Sequence, residues 1–476
     1  MRKTVLIVLC AMLVFTFTIT GAFAADTYYV NNATEIDSSL AQTYAVGKSG
    51  TQKIGSGEVY ALTGQGLQSI SGDQSSSNGG GGLISENGSV EIKTDIIKVG
   101  LNYYYSSVRD SGLIEARLEN KVGSGYQFGY YDNNRQFVAI SSTSVTRLTM
   151  RIISGTGIGV YATDTGEMLY SVQSTSASNK LAINPICTND DSITWFAGYQ
   201  YYGGFEYAML GAGKISVINV VDIEKYVMGV CANEMDESWP IEALKAQAIC
   251  ARSYVAKYTQ NSTYYYNCGF DVTNNTYCQA YSGCGTVGPK IEEAVNSTVN
   301  RFLSYNGEVC EALYFSSDGG ATEDNYNVNG NNEHPYLIGV ADPYEKSVDD
   351  LNSYSTWRYE LTPSELGAKV GLGAVSSAVA SYSDMGNVIA INFTSTSGST
   401  VQVLRSYCRT TMEMPSIRYT ITKNASGNFV FEGSGWGHNL GMSQFGAYAM
   451  ARDYGMTYKD ILGYYYTGVS LSYGVL

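Results

Sequence analysis

Short runs of alternating apolar and polar residues, separated by Gly, Asn, Asp and Ser, fill the chain between residues 90 and 200. Four such runs are VEIKTDIIKVGLNYYY, GYQFGYYDNNRQFVAI, VTRLTMRII and GVYATDTGEMLYSV. A period of two places successive side chains on opposite faces of an extended backbone, whereas the separating residues favour turns. The pattern therefore predicts a mostly β region.

The pattern changes at Lys214, where the strand-like run KISVINVV leads into two stretches of helical period. Asp222 is a suitable N-cap for a short helix that reaches about Val230. A second helix follows Pro240, which suits the first helical turn because it lacks an amide hydrogen. Its apolar residues recur every three or four positions and alanines fill the other faces, so we expect a core helix packed on several sides.

Strands and helices are mixed after residue 205 without a regular β-α-β alternation. We therefore predict an α+β fold, in which a mixed domain follows a mostly β N-terminal region. The Ser/Gly-rich stretch SISGDQSSSNGGGGLISENGS predicts a flexible linker. The predicted segments are a signal peptide at 1–24, a weakly patterned segment at 25–89 with the linker at 69–89, a β-rich domain at 90–205 and the mixed domain at 206–476.

The first 24 residues have the layout of a secretory signal. Arg2 and Lys3 form a basic start, an apolar run follows, and the run ends with the small-x-small sequence AFA. We predict cleavage after Ala24 and a secreted or cell-wall location outside the cytoplasmic membrane. The alternative is a retained membrane anchor, because about 20 apolar residues span a bilayer.

Composition narrows the range of partners. The 476 residues carry a formal net charge of −14. Nucleic-acid binding requires a basic face that displaces counterions, so we predict no nucleic-acid partner. Only 15% of the residues are charged, whereas Tyr (41) and Gly (52) are abundant. Tyrosine fits half-buried strand positions and also suits contact with a neutral polymer such as a glycan, so composition leaves both alternatives open.

Eight cysteines lie outside the predicted signal. In an exported protein they permit disulfides, but many pairings exist and the sequence does not choose among them. Cys231 and Cys250 lie in apolar patterns that equally suit buried thiols.

Glu234 lies between the apolar run VMGVC and the helix that follows Pro240. Its nearest neighbours along the chain are largely apolar or small, and such surroundings disfavour the charged form of a carboxyl group. A raised pKa would let Glu234 keep its proton near neutral pH and act as a general acid. The alternative is a solvated loop acid, or an acid that interacts with the dipole of the following helix.

Three stretches, in the same order, resemble the stage II sporulation protein D family, which includes amidase enhancers of bacterial cell walls. They are YVMGVCANEMDESWPIEALKAQAICARSYV around Glu234, LYFSSDGGATED at 313–324 and GSGWGHNLGMSQFGAYAMARDYGMTYKDILGYYYTGVSL at 433–471. The resemblance covers residues 210–475, which is more than half of the chain.

The resemblance implies a lytic transglycosylase that cleaves peptidoglycan glycan strands, with Glu234 as its acid and base. Such an enzyme protonates the leaving oxygen of the MurNAc-GlcNAc bond and then helps the sugar's own 6-hydroxyl to close a 1,6-anhydro ring, so one carboxyl group suffices. An ordinary hydrolase needs a second carboxyl group. The candidates for that second group are Asp236, Glu237, Asp318 and Glu323.

The amidase-enhancer branch suggests a second hypothesis, a non-catalytic protein that binds peptidoglycan and stimulates a cell-wall amidase. The family name also implies a link to sporulation. The predicted partners are therefore peptidoglycan glycan strands and a cell-wall amidase, with membrane contact only if the N-terminal segment is not cleaved.

The resembling stretches also contain residue types that bind sugars through hydroxyl groups, amides, aromatic rings and bare glycine backbone. The predicted substrate-binding residues are Arg252, Gln279, Tyr281, Ser316, Ser317, Gly319, Gly320, Trp436, His438, Ser443 and Gln444. For Arg252, a hydrogen bond to a sugar oxygen and an ion pair with a helix acid are equally open. His438 is predicted to orient the substrate or to stabilise charge.

The segment CGFDVTNNTYCQAYSGC, residues 268–284, resembles the family region that ends Cys-Gln-x-Tyr-x-Gly. Zinc-bearing relatives have Cys at the position of Thr273 and His at the position of Tyr277, and this chain has neither. The three cysteines of the segment would have to recruit another group to complete a tetrahedral site. We therefore predict no metal and no cofactor.

Overall fold

The computed structural model describes residues 84–106, 109–187, 193–211, 213–260 and 268–476, together with the backbone of short strands before residue 70. The chain forms two compact units, Met1–Asn78 and Gly79–Leu476. The predicted cleavage site after Ala24 and most of the predicted linker lie outside the described residues. The prediction of a flexible linker is wrong for its last residues, which belong to the paired strand Ser85–Glu91.

In the first unit only backbone pairing is described. Its antiparallel pairs are Lys3–Leu9 with Leu13–Ile19, Tyr28–Val30 with Thr43–Gly47, Thr43–Gly47 with Gly50–Gly55, and Tyr60–Thr63 with Gly66–Ser69.

Eight α-helices occur among the described residues of the second unit. In chain order they are α1 (Ile223–Glu234), α2 (Ile241–Gln260), α3 (Pro289–Ser297), α4 (Asn325–Asn329), α5 (Pro363–Val370), α6 (Tyr407–Thr410), α7 (Gln444–Asp453) and α8 (Tyr458–Tyr465). A 3₁₀ helix spans Glu345–Val348. Thr362 and Thr457 form capping boxes that fix the starts of α5 and α8. Within the described ranges, no helix combines the length and apolar character needed to cross a membrane.

The largest sheet of the described chain has seven strands. In order across the sheet they are Phe137–Thr143, Gly123–Tyr131, Leu181–Cys187, Gly204–Gly211, Lys214–Asp222, Ile96–Asn102 and Val272–Thr273. All neighbours are antiparallel except the last pair. The strand Lys214–Asp222 is buried over most of its length and passes directly into α1, so this sheet fixes where α1 begins.

A second sheet has six antiparallel strands among the described residues. In order they are Met168–Val172, Ile158–Ala162, Arg147–Ile152, Glu115–Glu119, Ile193–Phe196 and Tyr199–Tyr202. In Glu115–Glu119 the buried residues are Ala116 and Leu118, which alternate with more exposed polar residues as the sequence pattern predicts.

The other described strands form smaller sheets. These are Glu308–Val309, Arg301–Tyr305, Ser470–Val475 and Ser85–Glu91 in one sheet; Tyr314–Phe315 with Met442–Ser443; Trp357–Leu361, Phe429–Gly433 and Tyr419–Lys423; Val375–Tyr382, Val388–Ser395 and Thr400–Leu404; and Tyr104–Ser106 with Arg109–Asp110.

Helix α2 is central to the second unit. It packs against α1, α3, α7, α8 and the strand Arg301–Tyr305. Ala243, Ala246 and Ala251 are fully buried on it, and their small side chains let neighbouring elements approach from several sides. The prediction of a core helix after Pro240 is therefore confirmed.

A smaller β-rich region, residues 357–431, has a core of its own. Leu366 from α5, Cys408 from α6, and Ile391, Phe393 and Phe431 from its strands are buried together. The region lies in sequence between two of the resembling stretches, so the chain leaves the main core and returns to it.

The mixed α+β fold with a strand-rich N-terminal region is confirmed. The predicted boundary between residues 205 and 206 falls inside the strand Gly204–Gly211. One cluster of buried residues runs from Val90 to Leu471, so the β-rich part and the helical part share an interior. The division into domains stays a prediction.

Arg252 lies on α2 and is fully buried. Its Nε and Nη2 atoms donate to the carboxylate of Glu224 on α1 at 3.0 and 2.6 Å, and Nη1 donates to the main-chain oxygen of Arg301 at 3.2 Å. The structure shows Arg252 in an ion pair with a helix acid, which is one of its two predicted roles. The prediction that Arg252 contacts the substrate is wrong, because its guanidinium group is fully buried and cannot reach a sugar.

We expect Glu224→Gln to lower the free energy of unfolding by about 3 kcal/mol, because it leaves the buried guanidinium of Arg252 without a counter-charge. Urea unfolding followed by tryptophan fluorescence measures this change. Glu308→Gln is the matched control, since it breaks an ion pair with Lys257 in which the Glu308 side chain is 78% exposed. We expect the control to change stability by less than about 1 kcal/mol, and equal effects of the two substitutions would contradict the prediction.

Candidate active site

Glu234 is the last residue of α1, at the point where the chain leaves the helix. Met235 has extended backbone angles, and its amide donates to the Cys231 oxygen, which closes the last turn. The C-terminal end of a helix carries partial negative charge, which disfavours a carboxylate. The fold thus places an acid where its charged form is penalised.

Three donors from separate parts of the chain surround the Glu234 carboxyl group. The Ala280 amide donates to Oε1 at 2.9 Å, and the side-chain amide of Gln444 donates to Oε2 at 3.5 Å. The Tyr314 hydroxyl also forms a hydrogen bond with the carboxyl group.

A short pair of parallel strands brings two of these donors together. Tyr314–Phe315 pairs with Met442–Ser443, and α7 begins at the next residue, Gln444. The Ser443 hydroxyl caps α7 by accepting the Gly446 amide hydrogen at 3.1 Å. The second and third resembling stretches therefore meet at Glu234, although they are distant in sequence.

Burial raises the pKa of Glu234 above its ordinary value, and the hydrogen bonds from Ala280, Gln444 and Tyr314 oppose this only in part. The residue is half-buried, so part of it remains exposed. A carboxyl group that is dry enough to keep a proton and open enough to reach a ligand can act as a general acid.

Gln279 fixes the hydroxyl group of Tyr314. The buried side chain of Gln279 accepts the Tyr226 hydroxyl hydrogen at 3.2 Å and donates to the Tyr314 oxygen at 3.0 Å. Because Tyr314 receives this hydrogen bond at its oxygen, its own hydrogen is directed to Glu234. Gln279 is therefore a positioning residue.

His438 fixes the backbone of the same tyrosine. Its Nδ1 accepts the Leu440 amide hydrogen at 3.1 Å, so Nε2 carries the ring hydrogen and donates to the Tyr314 main-chain oxygen at 3.0 Å. Burial lowers the pKa of His438 to about 4, which keeps the ring neutral. The predicted role in stabilising charge does not suit a neutral ring whose donor is already engaged, whereas a positioning role does.

Glu345 joins the two chain segments that carry Tyr314 and Gln444. Its buried carboxylate accepts the hydroxyl hydrogens of Ser317 and Ser443, the latter at 2.7 Å, and the Asp318 amide hydrogen at 3.0 Å. Hydrogen bonds to a buried carboxylate are strong, so the Glu345 carboxylate holds these two segments together.

Asp318 is fully buried beside two other acids. Carboxylate oxygens of Asp318, Asp342 and Glu345 lie within 4.8 Å of one another. The Tyr465 hydroxyl donates to Asp342 at 2.5 Å, whereas Oδ2 of Asp318 has no donor among the described residues. Burial and the two neighbouring acids raise the pKa of Asp318 well above its ordinary value. We interpret Asp318 as a neutral acid that shares its proton with Asp342.

The same three oxygens form the group that is spaced for a metal ion within the described part of the chain. However, Glu345 already accepts hydrogen bonds from Ser317, Ser443 and main-chain amides, and Asp342 accepts from Tyr465 and from the amides of Tyr344 and Glu345. These donors occupy the oxygens that a cation would need. A shared proton therefore accounts for the arrangement better than a metal.

Comparison with known proteins shows the family of this chain. A family model described as stage II sporulation protein matches residues 211–305, which include Glu234. The stage II sporulation protein D of Bacillus subtilis is 31% identical over 268 residues, which cover 53% of this chain and 75% of that protein. The chain belongs to the stage II sporulation protein D family.

Two further proteins are similar to this chain. A protein of Brachyspira hyodysenteriae, named as uncharacterized, is 34% identical over 291 residues, which cover 58% of this chain and 73% of that protein. The amidase enhancer of Bacillus subtilis is 29% identical over 292 residues, which cover 51% of this chain but only 40% of that protein.

In this member of the stage II sporulation protein D family, the predicted substrate-binding residues fall into two groups. Those partly exposed are Ser316, Gly319, Gly320, Trp436 and His438. Those buried are Arg252, Gln279, Tyr281, Ser317, Ser443 and Gln444. Tyr281 donates to Asn219 at 2.8 Å, so direct sugar contact by Tyr281 is corrected to a role in packing. The same correction applies to Ser317 and Ser443, whose hydroxyl groups donate to Glu345.

Gly319 is required by the backbone and by its neighbour. Its φ is +66°, a left-handed conformation, and a Cβ atom there would lie 2.5 Å from the Ser434 hydroxyl oxygen. The glycine therefore lets the second and third resembling stretches approach each other, a role that differs from the predicted approach to sugar.

The four candidates for a second carboxyl group are engaged away from Glu234. Asp236 is exposed and accepts the Ser238 amide hydrogen, while Glu237 accepts the Lys290 amide hydrogen at 3.0 Å. Glu323 is buried and accepts from Asn327 at 2.8 Å. Asp318 belongs to the buried acid cluster.

Sequence reasoning missed Tyr314 and Glu345. Tyr314 stands inside the quoted stretch LYFSSDGGATED, so the signal was present, but a tyrosine there suits a strand position equally well. Glu345 lies in the polar run DPYEKS, which predicts a solvated surface turn and gives no sign of burial. Its role depends on contacts with residues far away in the sequence.

We expect Asp318→Asn to fold and to raise the free energy of unfolding at neutral pH. Native Asp318 keeps its proton, whereas the unfolded chain releases it above the ordinary pKa of an aspartate. Between that ordinary pKa and the raised pKa of the folded protein, this group makes the free energy of unfolding fall as pH rises. Asparagine cannot ionise, yet it supplies a donor towards Asp342. Urea unfolding across a series of pH values should therefore show a weaker loss of stability with rising pH than in the unchanged protein.

Glu345→Gln is the matched control for this prediction. It places an amide NH₂ group against donors that need an acceptor, so we expect it to lower stability at every pH. A large destabilisation by Asp318→Asn, similar to that of the control, would show that Asp318 is needed as an anion and would refute the shared proton.

Proposed function

We propose that this chain is an exported lytic transglycosylase that cleaves the glycan strands of peptidoglycan, with Glu234 as its single acid and base. The observation that carries the proposal is the half-buried Glu234 carboxyl group, whose pKa is raised by burial and which three donors hold. The names of the relatives, a sporulation protein and an amidase enhancer, support a role in the cell envelope.

In the first step, Glu234 donates its proton to the glycosidic oxygen as the MurNAc-GlcNAc bond breaks. The raised pKa keeps that proton available near neutral pH. As the carboxylate forms, hydrogen bonds from the Ala280 amide, Gln444 and Tyr314 stabilise its negative charge.

In the second step, the Glu234 carboxylate accepts the proton of the sugar's 6-hydroxyl group while that oxygen bonds to the anomeric carbon. The product is a 1,6-anhydro-muramyl end, and Glu234 is protonated again for the next cycle. A second carboxyl group, which ordinary glycosidases use as a nucleophile or as a base for water, is not required. This agrees with the engagement of the other four candidate acids away from Glu234.

Trp436 offers an exposed aromatic surface for a sugar ring. Its side chain is 39% exposed and packs on Tyr354 with ring centroids 4.1 Å apart. Reciprocal main-chain hydrogen bonds join Trp436 to Ser317 at 2.8 and 3.1 Å, so the ring is fixed to the loop that follows Tyr314. A rigid aromatic face suits stacking on a saccharide.

The amidase enhancer among the relatives favours a second candidate function, a peptidoglycan-binding protein that stimulates a cell-wall amidase. The two functions differ in what they require of Glu234. Stimulation of an amidase needs binding surfaces only, whereas glycan cleavage needs the carboxyl group.

We expect Glu234→Gln to lower kcat/KM for release of 1,6-anhydro-muramyl products by about a hundredfold to ten-thousandfold, the range of general acid and base catalysis. Purified glycan strands are the substrate, and mass spectrometry identifies the products. Asp236→Asn is the matched control because it removes an exposed carboxyl group two residues away, and we expect it to retain activity.

Ordinary reducing ends among the products would favour a hydrolase. Unchanged activity of Glu234→Gln would remove Glu234 from its role. If the unchanged protein cleaves no glycan, and both it and Glu234→Gln stimulate a cell-wall amidase, the non-catalytic function is the correct one.

We expect Tyr314→Phe to move the high-pH limb of the kcat/KM profile to higher pH. The Tyr314 hydroxyl lowers the pKa of Glu234, so its removal raises that pKa further. Activity requires protonated Glu234 and falls as pH rises through its pKa. Tyr448→Phe serves as the control because its hydroxyl contacts Arg452, and a limb that stays in place in Tyr314→Phe would contradict the assigned hydrogen bond.

A further inference from the structure

A cavity lies on the seven-stranded sheet and shares no residue with the surroundings of Glu234. It measures about 540 Å³. Lys98 from the strand Ile96–Asn102 and Glu206 from Gly204–Gly211 line it, together with Lys180, which precedes Leu181–Cys187. None of these side chains takes part in the proposed glycan cleavage.

The charges of this cavity do not cancel. The Lys98 ammonium donates to both Glu206 oxygens at 2.9 and 3.0 Å, and the Lys180 ammonium lies 3.2 Å from one of these oxygens. Two cations thus share one carboxylate, while Arg135 and Asp271 pair with each other at 2.5 Å. One positive charge remains uncompensated among these five side chains.

This excess charge is held largely out of water. The side chains of Lys98, Lys180 and Glu206 are 12%, 8% and 3% exposed. Keeping an unpaired charge at such a site is unfavourable, and burial lowers the pKa of Lys98 accordingly. A second anion, bound beside Glu206 and next to the Lys180 ammonium group, would offset this penalty, and its single charge would match the excess.

The rim of the cavity carries groups that suit a sugar. Tyr130 is 46% exposed there. Ser176, Ser178 and Asn179 line the same cavity and offer hydroxyl and amide groups. An exposed aromatic ring beside neutral hydrogen-bonding groups is a typical saccharide surface, and the charged floor adds a demand for a carboxylate.

We propose that this cavity binds a carboxylate-bearing saccharide, with its carboxylate beside Glu206 and next to the Lys180 ammonium group, and with the sugar ring against Tyr130. The proposal goes beyond the proposed function, because it assigns to the β-rich part a binding site that does not need Glu234. N-acetylmuramic acid has the required chemistry, since it carries a carboxylate on an N-acetylated sugar. N-acetylglucosamine lacks only the carboxylate-bearing ether group and is the matched probe.

The test is a titration of the full chain with each sugar, followed by isothermal calorimetry. We expect N-acetylmuramic acid to bind about tenfold or more tightly than N-acetylglucosamine, and Lys180→Met to remove about that factor, as expected for a hydrogen bond to a charged group. Lys180→Met leaves Lys98 and Glu206 paired one to one. Lys121→Met is the control, because it removes the same charge from a side chain that is 49% exposed and lies over Trp195.

Equal binding of the two sugars, or unchanged binding in Lys180→Met, would overturn the proposal. Displacement of N-acetylmuramic acid by an equal concentration of inorganic phosphate would also overturn it, since the cavity would then recognise an anion and no saccharide. If Lys180→Met does not fold, the amide resonance of Gly269, which borders Lys180, reports binding in the unchanged protein, and its failure to shift would have the same meaning.

Repeating the titration with Glu234→Gln separates this site from the proposed active site. We expect that variant to bind N-acetylmuramic acid as the unchanged protein does. Loss of binding in Glu234→Gln would show that the sugar binds at Glu234 and would overturn the second site.

Discussion

The buried carboxylate of Glu345 links the parts of the chain on which the candidate site depends. It accepts hydrogen bonds from Ser317 and Ser443, which belong to segments that are distant in sequence. The first segment carries Tyr314 and the second continues into α7 with Gln444, and both of these residues reach Glu234. A buried carboxylate needs several hydrogen-bond donors. The segments that supply donors to Glu345 also carry Tyr314 and Gln444, so the hydrogen bonds of Glu345 fix the donors around Glu234.

The protein accommodates buried acids in three different ways. Glu345 remains an acceptor for several donors, Asp318 shares a proton with Asp342, and Glu234 lies at a helix C-terminus where three donors offset its burial only in part. The three environments follow from the number of donors that each carboxyl group meets. Of these three acids, Glu234 alone combines a raised pKa with partial exposure, and this combination is what acid catalysis requires.

The β-rich and helical parts act as one scaffold. The strand Lys214–Asp222 lies within the seven-stranded sheet and continues into α1, whose first turn is capped by Asp222. The opposite end of α1 presents Glu234, so the sheet sets the position of the acid through one helix. The cavity at Lys98 and Lys180 lies on the same sheet, which places a second proposed sugar site on the scaffold that holds the first.

The sequence by itself determined the elements and the acid. Alternation predicted the strands, helical spacing after Pro240 predicted α2, and an apolar neighbourhood together with the family resemblance selected Glu234. Local periodicity suffices for these features because each depends on which face of one element is buried. Only the tertiary structure decided that Ser317 and Ser443 face Glu345, that Arg252 pairs with Glu224, and that Tyr314 points to Glu234. The physical reason is that a polar side chain can use the same atoms to contact a ligand or to form a hydrogen bond with a buried partner. Which of these two it does depends on residues that are close in space but far apart in the chain.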